Sequence, residues 1–137
     1  MRFDQAALLR TPLGCTPLQL GVARGLWSRF RGLMLMRPLP RTPQLHGLLI
    51  PDCASVHGFF MRYPLDVAYL AQIGHAAWGV TQVERLRPWG ISWSRRQSTT
   101  ALAGASPPAR GTHALELPAG TASALGLSPG DRLEFCS

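Results

Sequence analysis

Glycine and proline are the feature of this sequence that most restricts its fold. The 137 residues include 14 glycines and 12 prolines. Inside a helix each glycine costs about 1 kcal/mol and each proline about 3 kcal/mol. This content argues against a helical bundle and favours strands joined by turns. The length fits one domain built around one core.

Composition indicates a folded chain and a broad preference for acidic partners. Hydrophobic residues make up 46% and charged residues 15%, a balance that supports a core and excludes a disordered chain. All 14 basic residues are arginine, and they give a formal net charge of +7. Such a charge favours nucleic acid, anionic lipid or acidic proteins only through its general field. It identifies no partner.

Hydrophobic spacing predicts two short helices and a set of strands. Helical periodicity over residues 27–35 places Trp27 and Phe30 in the core, and a shorter helix is predicted near 120–125, ended by Gly126. Strands are predicted wherever apolar and polar residues alternate or form short apolar runs: 18–23, 47–50, 56–61, 66–70, 76–84, 113–117 and 132–135. Residues 86–110 show no periodicity, which predicts a long, mobile surface loop.

Several motifs in these segments resemble the bacterial and archaeal family known as domain of unknown function 192. They are WSRFRGLM at 27–34, SVHGFFMRYPLDVAYL at 55–70, RPW at 87–89, LELPAG at 115–120 and LSPGD at 127–131. The resemblance implies an α+β domain over residues 18–135, with a curved, barrel-like antiparallel sheet and two short helices. Residues 1–17 would form an N-terminal extension. It implies no established activity.

Two departures from the family pattern concern the predicted loop. Gly90 stands where the family usually has arginine after the Pro-Trp pair, and the stretch 91–108 is longer than usual. Both weaken any site built on that loop.

The sequence favours a cytoplasmic protein with reduced thiols. Three cysteines without a C-x-x-C pair indicate neither a disulfide framework nor a zinc site. The first ten residues lack the apolar run of a signal peptide, and no segment is long enough to span a membrane. Many members of the resembled family carry an export signal, so an envelope location is the alternative.

The segment 56–70 is the main candidate for a ligand site, because it combines apolar bulk with titratable groups. We predict a small pocket for an anionic ligand, lined by His57, Phe60, Met61, Arg62, Asp66 and Glu116. The alternative is structural: Arg62 and Asp66 would pair with each other across the corner at Pro64. These two interpretations do not exclude each other.

Catalysis and metal binding are less favoured interpretations of the same region. Cys53 and His57 would have to touch to act as nucleophile and base, but four strand residues span about 13 Å. An unassigned enzyme that uses His57, Asp66 or Cys53 stays an alternative to a non-catalytic binding protein. No second ligand pair completes a metal site, so we expect no metal and no cofactor.

A basic and aromatic cluster gives a third interpretation, weak binding of nucleic acid. Arginine and tryptophan are the residue types of single-strand platforms, and the predicted loop contains Arg85, Arg87, Trp89, Trp93, Arg95 and Arg96. No nucleic-acid fold signature accompanies them. A solvated arginine loop with one tryptophan packed against the sheet is the simpler explanation of the cluster, so binding of nucleic acid ranks last.

Overall fold

The structure is a computed structural model that describes residues 3–22, 45–53, 55–57, 63–94 and 112–136. In these ranges the chain forms nine strands and one helix. In chain order they are β1 (Gln5–Thr11), β2 (Gly14–Val22), β3 (Leu45–Ile50), β4 (Ser55–His57), β5 (Leu65–Gly74), β6 (Ala77–Leu86), β7 (Ile91–Trp93), β8 (Thr112–Pro118), α1 (Thr121–Leu125) and β9 (Arg132–Phe135).

Seven of the strands form a closed barrel in the order β1-β2-β3-β8-β5-β6-β9. Closure occurs because β9 pairs with β1 on one side and with β6 on the other. The predicted barrel-like sheet is confirmed, but the class is mostly β rather than α+β. The described part of the chain contains one short helix, α1. The other predicted helix, at 27–35, lies outside the described residues, as do Trp27 and Phe30.

One pair of barrel strands is parallel, which corrects the predicted antiparallel sheet at this position. β2 runs parallel to β3, with Leu18 opposite Leu45 and Val22 opposite Leu49. A parallel pair needs a crossover connection of a dozen or more residues. The chain between Val22 and Leu45 is long enough to supply it, whereas the hairpin between β1 and β2 forces those strands to be antiparallel.

Successive residues of the barrel strands face two separate cores. The interior core draws side chains from the barrel strands and the segment after α1: Ala7, Leu9, Leu18, Leu20, Leu49, Ala68, Leu70, Val80, Leu115, Leu117, Leu127 and Leu133. The outer core covers the opposite face of β3, β8, β5 and β6, and contains Leu48, Ile50, Val56, Leu65, Val67, Tyr69, Leu86 and Ala114. Strand alternation explains why Leu48 and Leu49 belong to different cores.

The short strands β4 and β7 pair with each other and form a two-stranded ribbon against the outer core. Val56 and Ser92 are its buried residues, while Ile91 and Trp93 are exposed. β7 lies within the loop predicted at 86–110, so that part of the prediction is wrong. In Ile91–Trp93 the polar residue is buried and the two apolar residues are exposed, the reverse of the usual pattern. Three residues are also too few to show a periodicity from which a strand could be predicted.

A bulge in β6 determines on which face of the sheet the last residues of this strand lie. The β5–β6 register shifts between Tyr69 and Leu70, which leaves Thr81 without an opposite residue. The Thr81 hydroxyl donates a hydrogen bond of 3.2 Å to the backbone carbonyl of Tyr69. The extra residue reverses the alternation, so that Glu84 lies opposite Val67 on the outer face and Arg85 lies opposite Asp66.

The N-terminal residues contribute to the barrel. Residues 1–17 were predicted to be an extension, but they contain β1 and the first residues of β2. Ala7 and Leu9 of β1 are fully buried in the interior core. The barrel therefore begins at Gln5, well before the boundary predicted at residue 18.

Candidate functional site

A buried glutamate lies in the middle of the outer core. In the β3–β8–β5 part of the barrel, Glu116 lies opposite Leu48 on one side and Val67 on the other, and both neighbours belong to the outer core. Glu116 is 2% exposed, and its Oε2 atom has no hydrogen-bond partner among the described residues. Burial raises the pKa of the Glu116 carboxyl to about 8. The carboxyl is therefore mostly protonated at neutral pH.

A chain of hydrogen bonds ties the ribbon to the barrel beside this glutamate. The Tyr69 hydroxyl lies 2.7 Å from Ser92 Oγ, and Ser92 Oγ donates a hydrogen bond to Glu84 Oε1. Because an ionised carboxylate only accepts, the direction of the chain runs from Tyr69 through Ser92 to Glu84. Burial raises the pKa of Tyr69 to about 12, which keeps its proton in place as a donor.

Asp66 is also buried, and its two carboxylate oxygens are both occupied. Oδ1 accepts a hydrogen bond of 3.1 Å from Arg85 Nε, and Oδ2 accepts one of 2.9 Å from the backbone N–H of Ala122 in α1. Asp66 is 4% exposed, whereas the Arg85 side chain is 52% exposed. Asp66 therefore joins β5, β6 and α1, and it orients one side of the Arg85 guanidinium.

Beside this carboxylate is an open groove of about 490 Å³, which we call the Asp66 groove. Its volume lies within the range of small-molecule sites. It is lined by Asp66, Val83, Glu84, Arg85, Arg87, Ala122 and Ser123. Among the described residues, Arg87 forms no ion pair, and the terminal guanidinium nitrogens of Arg85 make no hydrogen bond. These two side chains supply the groove with donors for an anion.

The predicted site residues do not all come together. Asp66 lies opposite Leu117 and Glu116 lies opposite Val67, so strand alternation places the two acids on opposite faces of the sheet. His57 ends β4, and Phe60, Met61 and Arg62 lie outside the described residues. The partner of Asp66 within the described chain is Arg85, a residue that the sequence analysis assigned to the nucleic-acid cluster.

The remaining predictions concern Cys53, metal binding and membrane spans. The Cys53 thiol donates a hydrogen bond of 2.9 Å to the backbone carbonyl of Ser55. In the ranges that the structure covers, no group of three His, Cys, Asp or Glu side chains could hold a metal ion. Within the same ranges there is no helix with the length and hydrophobicity of a membrane span.

The sequence analysis missed Tyr69 and Ser92 as members of a polar cluster. They are 23 positions apart and meet only because the ribbon folds back onto β5. The one local signal was a serine between two large apolar residues in the stretch Ile91–Trp93. That pattern is typical of an exposed serine, and the structure has the opposite arrangement.

The described barrel does not itself carry the positive charge of the chain. All seven acidic residues fall within the described ranges, but only four of the 14 arginines do: Arg10, Arg85, Arg87 and Arg132. Two of those four line the Asp66 groove. Attraction of an anion to this part of the molecule is therefore local to the groove.

These features define a small closed β-barrel domain with a covering ribbon and a groove at the end near α1. The chain belongs to the family of domain of unknown function 192, described as "Uncharacterized ACR", whose model matches residues 10–135. The resemblance predicted from the motifs is thereby confirmed. A search among curated proteins finds no match.

Two solved structures share the fold over nearly the whole chain. One is a protein of unknown function from Novosphingobium aromaticivorans DSM 12444, with 19% identity and a TM-score of 0.69, covering 94% of this chain and 83% of that one. The other is a "putative transcription regulator" from Sinorhizobium meliloti 1021, with 28% identity and a TM-score of 0.70, covering 96% of this chain and 92% of that one.

Proposed function

We propose that the protein is a non-catalytic binding domain that holds a small anionic ligand in the Asp66 groove. The observation that carries the proposal is the arrangement of Arg85 beside the groove. Its Nε donates to the buried Asp66 carboxylate, while its terminal nitrogens make no hydrogen bond to the other residues that the structure describes. A guanidinium held in this way loses little freedom when it binds a carboxylate or phosphate.

The two acids that line the groove already accept hydrogen bonds from protein groups. Both oxygens of Asp66 accept hydrogen bonds from Arg85 and Ala122, and Glu84 accepts one from Ser92. Arg87 adds a second cation without an ion-pair partner among the described residues. The same contacts argue against the enzyme alternative for Asp66, because a carboxylate with both oxygens engaged is a poor general base.

The site residues predicted around the segment 56–70 extend this proposal. Arg62 is proposed as a further anion-binding residue, together with His57, Phe60 and Met61 of the same segment. We expect Arg62→Ala to abolish ligand-induced thermal stabilisation while the ligand-free protein stays folded. Arg62→Lys should not restore it, because a lysine lacks the bidentate geometry of a guanidinium.

Arg87→Ala is the direct test of the groove. Using inorganic phosphate and succinate as probes in calorimetric titrations, we expect the variant to bind at least about tenfold more weakly, since a hydrogen bond to a charged group contributes about 1.5–3 kcal/mol. Arg132→Ala is the matched control: Arg132 is exposed and lies opposite Gly79, far along β6 from Arg87. Equal losses in both variants, or no binding of either probe to the parent, would refute the proposal.

Binding of nucleic acid is the second candidate, favoured by two exposed tryptophans. Trp89 is 60% exposed and Trp93 is 62% exposed. The Sinorhizobium meliloti structure, a "putative transcription regulator", is consistent with this candidate. Binding driven by the +7 charge alone should be weak and should collapse with salt. Sub-micromolar binding of single strands at physiological salt, lost in Trp89→Ala and Trp93→Ala, would rank this candidate first.

A further inference from the structure

The turn between β6 and β7 holds a tryptophan in a backbone conformation that glycine usually adopts. The Gly90 N–H donates a hydrogen bond of 2.9 Å to the Arg87 carbonyl, which closes a four-residue turn. Pro88 takes the second position and Trp89 the third, where φ is 63°. Proline followed by a positive φ is the pattern of a type II turn, whose third position strongly favours glycine or asparagine. A bulky aromatic residue there is an outlier.

Packing in the protein core does not explain why a tryptophan occupies this position. At 60% exposure, most of its surface faces solvent. An unfavourable backbone conformation at an exposed aromatic residue is the kind of local strain that accompanies binding sites. Trp89 is therefore a candidate platform for a flat partner.

Along the chain, Trp89 lies two residues from a side chain that lines the Asp66 groove. Arg87 lines the groove and is also the first residue of the turn, two positions before Trp89. Arg85, two positions earlier, lines the same groove and is held by Asp66. Two guanidiniums and one exposed aromatic ring thus follow one another along five residues of chain.

We propose that the ligand of the Asp66 groove is a nucleoside phosphate, with its phosphate on Arg85 and Arg87 and its base stacked on Trp89. This inference rests on the proposed function and names the ligand class for that site. Arginine pairs with phosphate oxygens through parallel hydrogen bonds, and tryptophan stacks with any base. The site therefore recognises the phosphate and a planar ring, with little preference among bases. A free nucleotide and a single strand share this chemistry.

Titrations with adenosine monophosphate, adenosine and inorganic phosphate test the inference. We expect the parent to bind the nucleotide at least about fivefold more tightly than inorganic phosphate, which corresponds to about 1 kcal/mol of stacking. Trp89→Gly should remove that advantage and leave the affinity for inorganic phosphate unchanged. Trp93→Ala, at an exposed position on β7, is the matched control and should retain the advantage.

Thermal melting separates stacking from a structural role of Trp89. Glycine adopts a positive φ without strain, so Trp89→Gly should melt at or above the temperature of the parent. A lower melting temperature together with weaker binding of inorganic phosphate would show that Trp89 only shapes the turn, and would overturn the inference. Equal loss of the nucleotide advantage in Trp93→Ala would overturn it as well.

Failure of the inference can be distinguished from failure of the proposed function. If inorganic phosphate binds and the nucleotide binds no better, the groove accepts anions and only the nucleoside assignment is wrong. If no anion binds the parent, both are wrong. A single-stranded oligonucleotide of ten deoxythymidines is compared with thymidine monophosphate at the same salt. Tighter binding of the oligonucleotide identifies a single strand as the ligand, and tighter binding of the monophosphate identifies a free nucleotide. Both outcomes support the inference.

Discussion

The free energy of unfolding is expected to fall as the pH rises from about 4.5 to about 8, through the buried carboxyl of Glu116. In the folded state burial raises the pKa of this group to about 8, from an ordinary value of 4.5. Between these values the folded protein holds a proton that the unfolded chain releases. A group with a raised folded pKa contributes stability that is complete below the unfolded pKa and is lost as the pH rises to the folded one.

The size of this effect makes it one of the largest that a single side chain can show here. One pKa unit corresponds to about 1.4 kcal/mol, so the contribution of Glu116 changes by about 3–6 kcal/mol across the window. Two tyrosines that interact with the Glu116 charge do not titrate in this window. Tyr63 and Tyr69 have their pKa values raised by burial and by the Glu116 charge, so both stay neutral below pH 9. Neither changes its charge between pH 4.5 and pH 8.

Glu116→Gln isolates the contribution of this carboxyl, because glutamine keeps the shape and never ionises. The difference in unfolding free energy between variant and parent, measured by urea denaturation at several pH values, should favour the variant increasingly toward pH 8. Glu116→Met serves the same purpose if the buried amide of glutamine prevents folding. A difference that stays constant between pH 5 and pH 8 would show that the carboxyl is solvated or paired in solution.

The local architecture was predictable because it depends on local patterns. Residues 113–117 alternate between the two cores, and the structure has β8 at Thr112–Pro118. The helix predicted near 120–125 is confirmed as α1, and it ends at Gly126, whose φ of 66° is one that glycine adopts readily. In both cases neighbouring residues determine the outcome, so the sequence alone was sufficient.

The candidate site depends on register, which no local pattern reports. Asp66 and Glu116 are separated by 50 positions, and whether they share a face depends on whether Asp66 lies opposite Glu116 or Leu117. A shift of one residue would reverse the answer. The bulge at Thr81 has the same effect on β6, where it brings Arg85 opposite Asp66. The sequence therefore indicated which residues are chemically capable, but not which of them meet.

Removal of the Asp66 carboxylate should destabilise the protein more than the loss of any surface ion pair. In Asp66→Ala, the Ala122 N–H loses its acceptor and Arg85 loses the partner that holds its Nε. An unsatisfied buried donor costs about 1–3 kcal/mol, and the loss of attachment between β5 and α1 adds to it. We expect a total of about 2–4 kcal/mol, measured by urea denaturation, with faster hydrogen exchange at the Ala122 amide.

Two further variants divide this cost between the charge and the hydrogen bonds of Asp66. Asp66→Asn keeps one carbonyl acceptor, so about half of the loss should remain, with the Ala122 amide still protected from exchange. Arg10→Ala is the matched control: Arg10 Nε lies 2.9 Å from Glu134 Oε2, but both side chains are partly exposed. Such a surface pair contributes about 0–1 kcal/mol. If Asp66→Ala cost no more than Arg10→Ala, Asp66 would not hold α1 against the barrel. The Asp66 groove would then lack the fixed guanidinium on which its ligand binding depends.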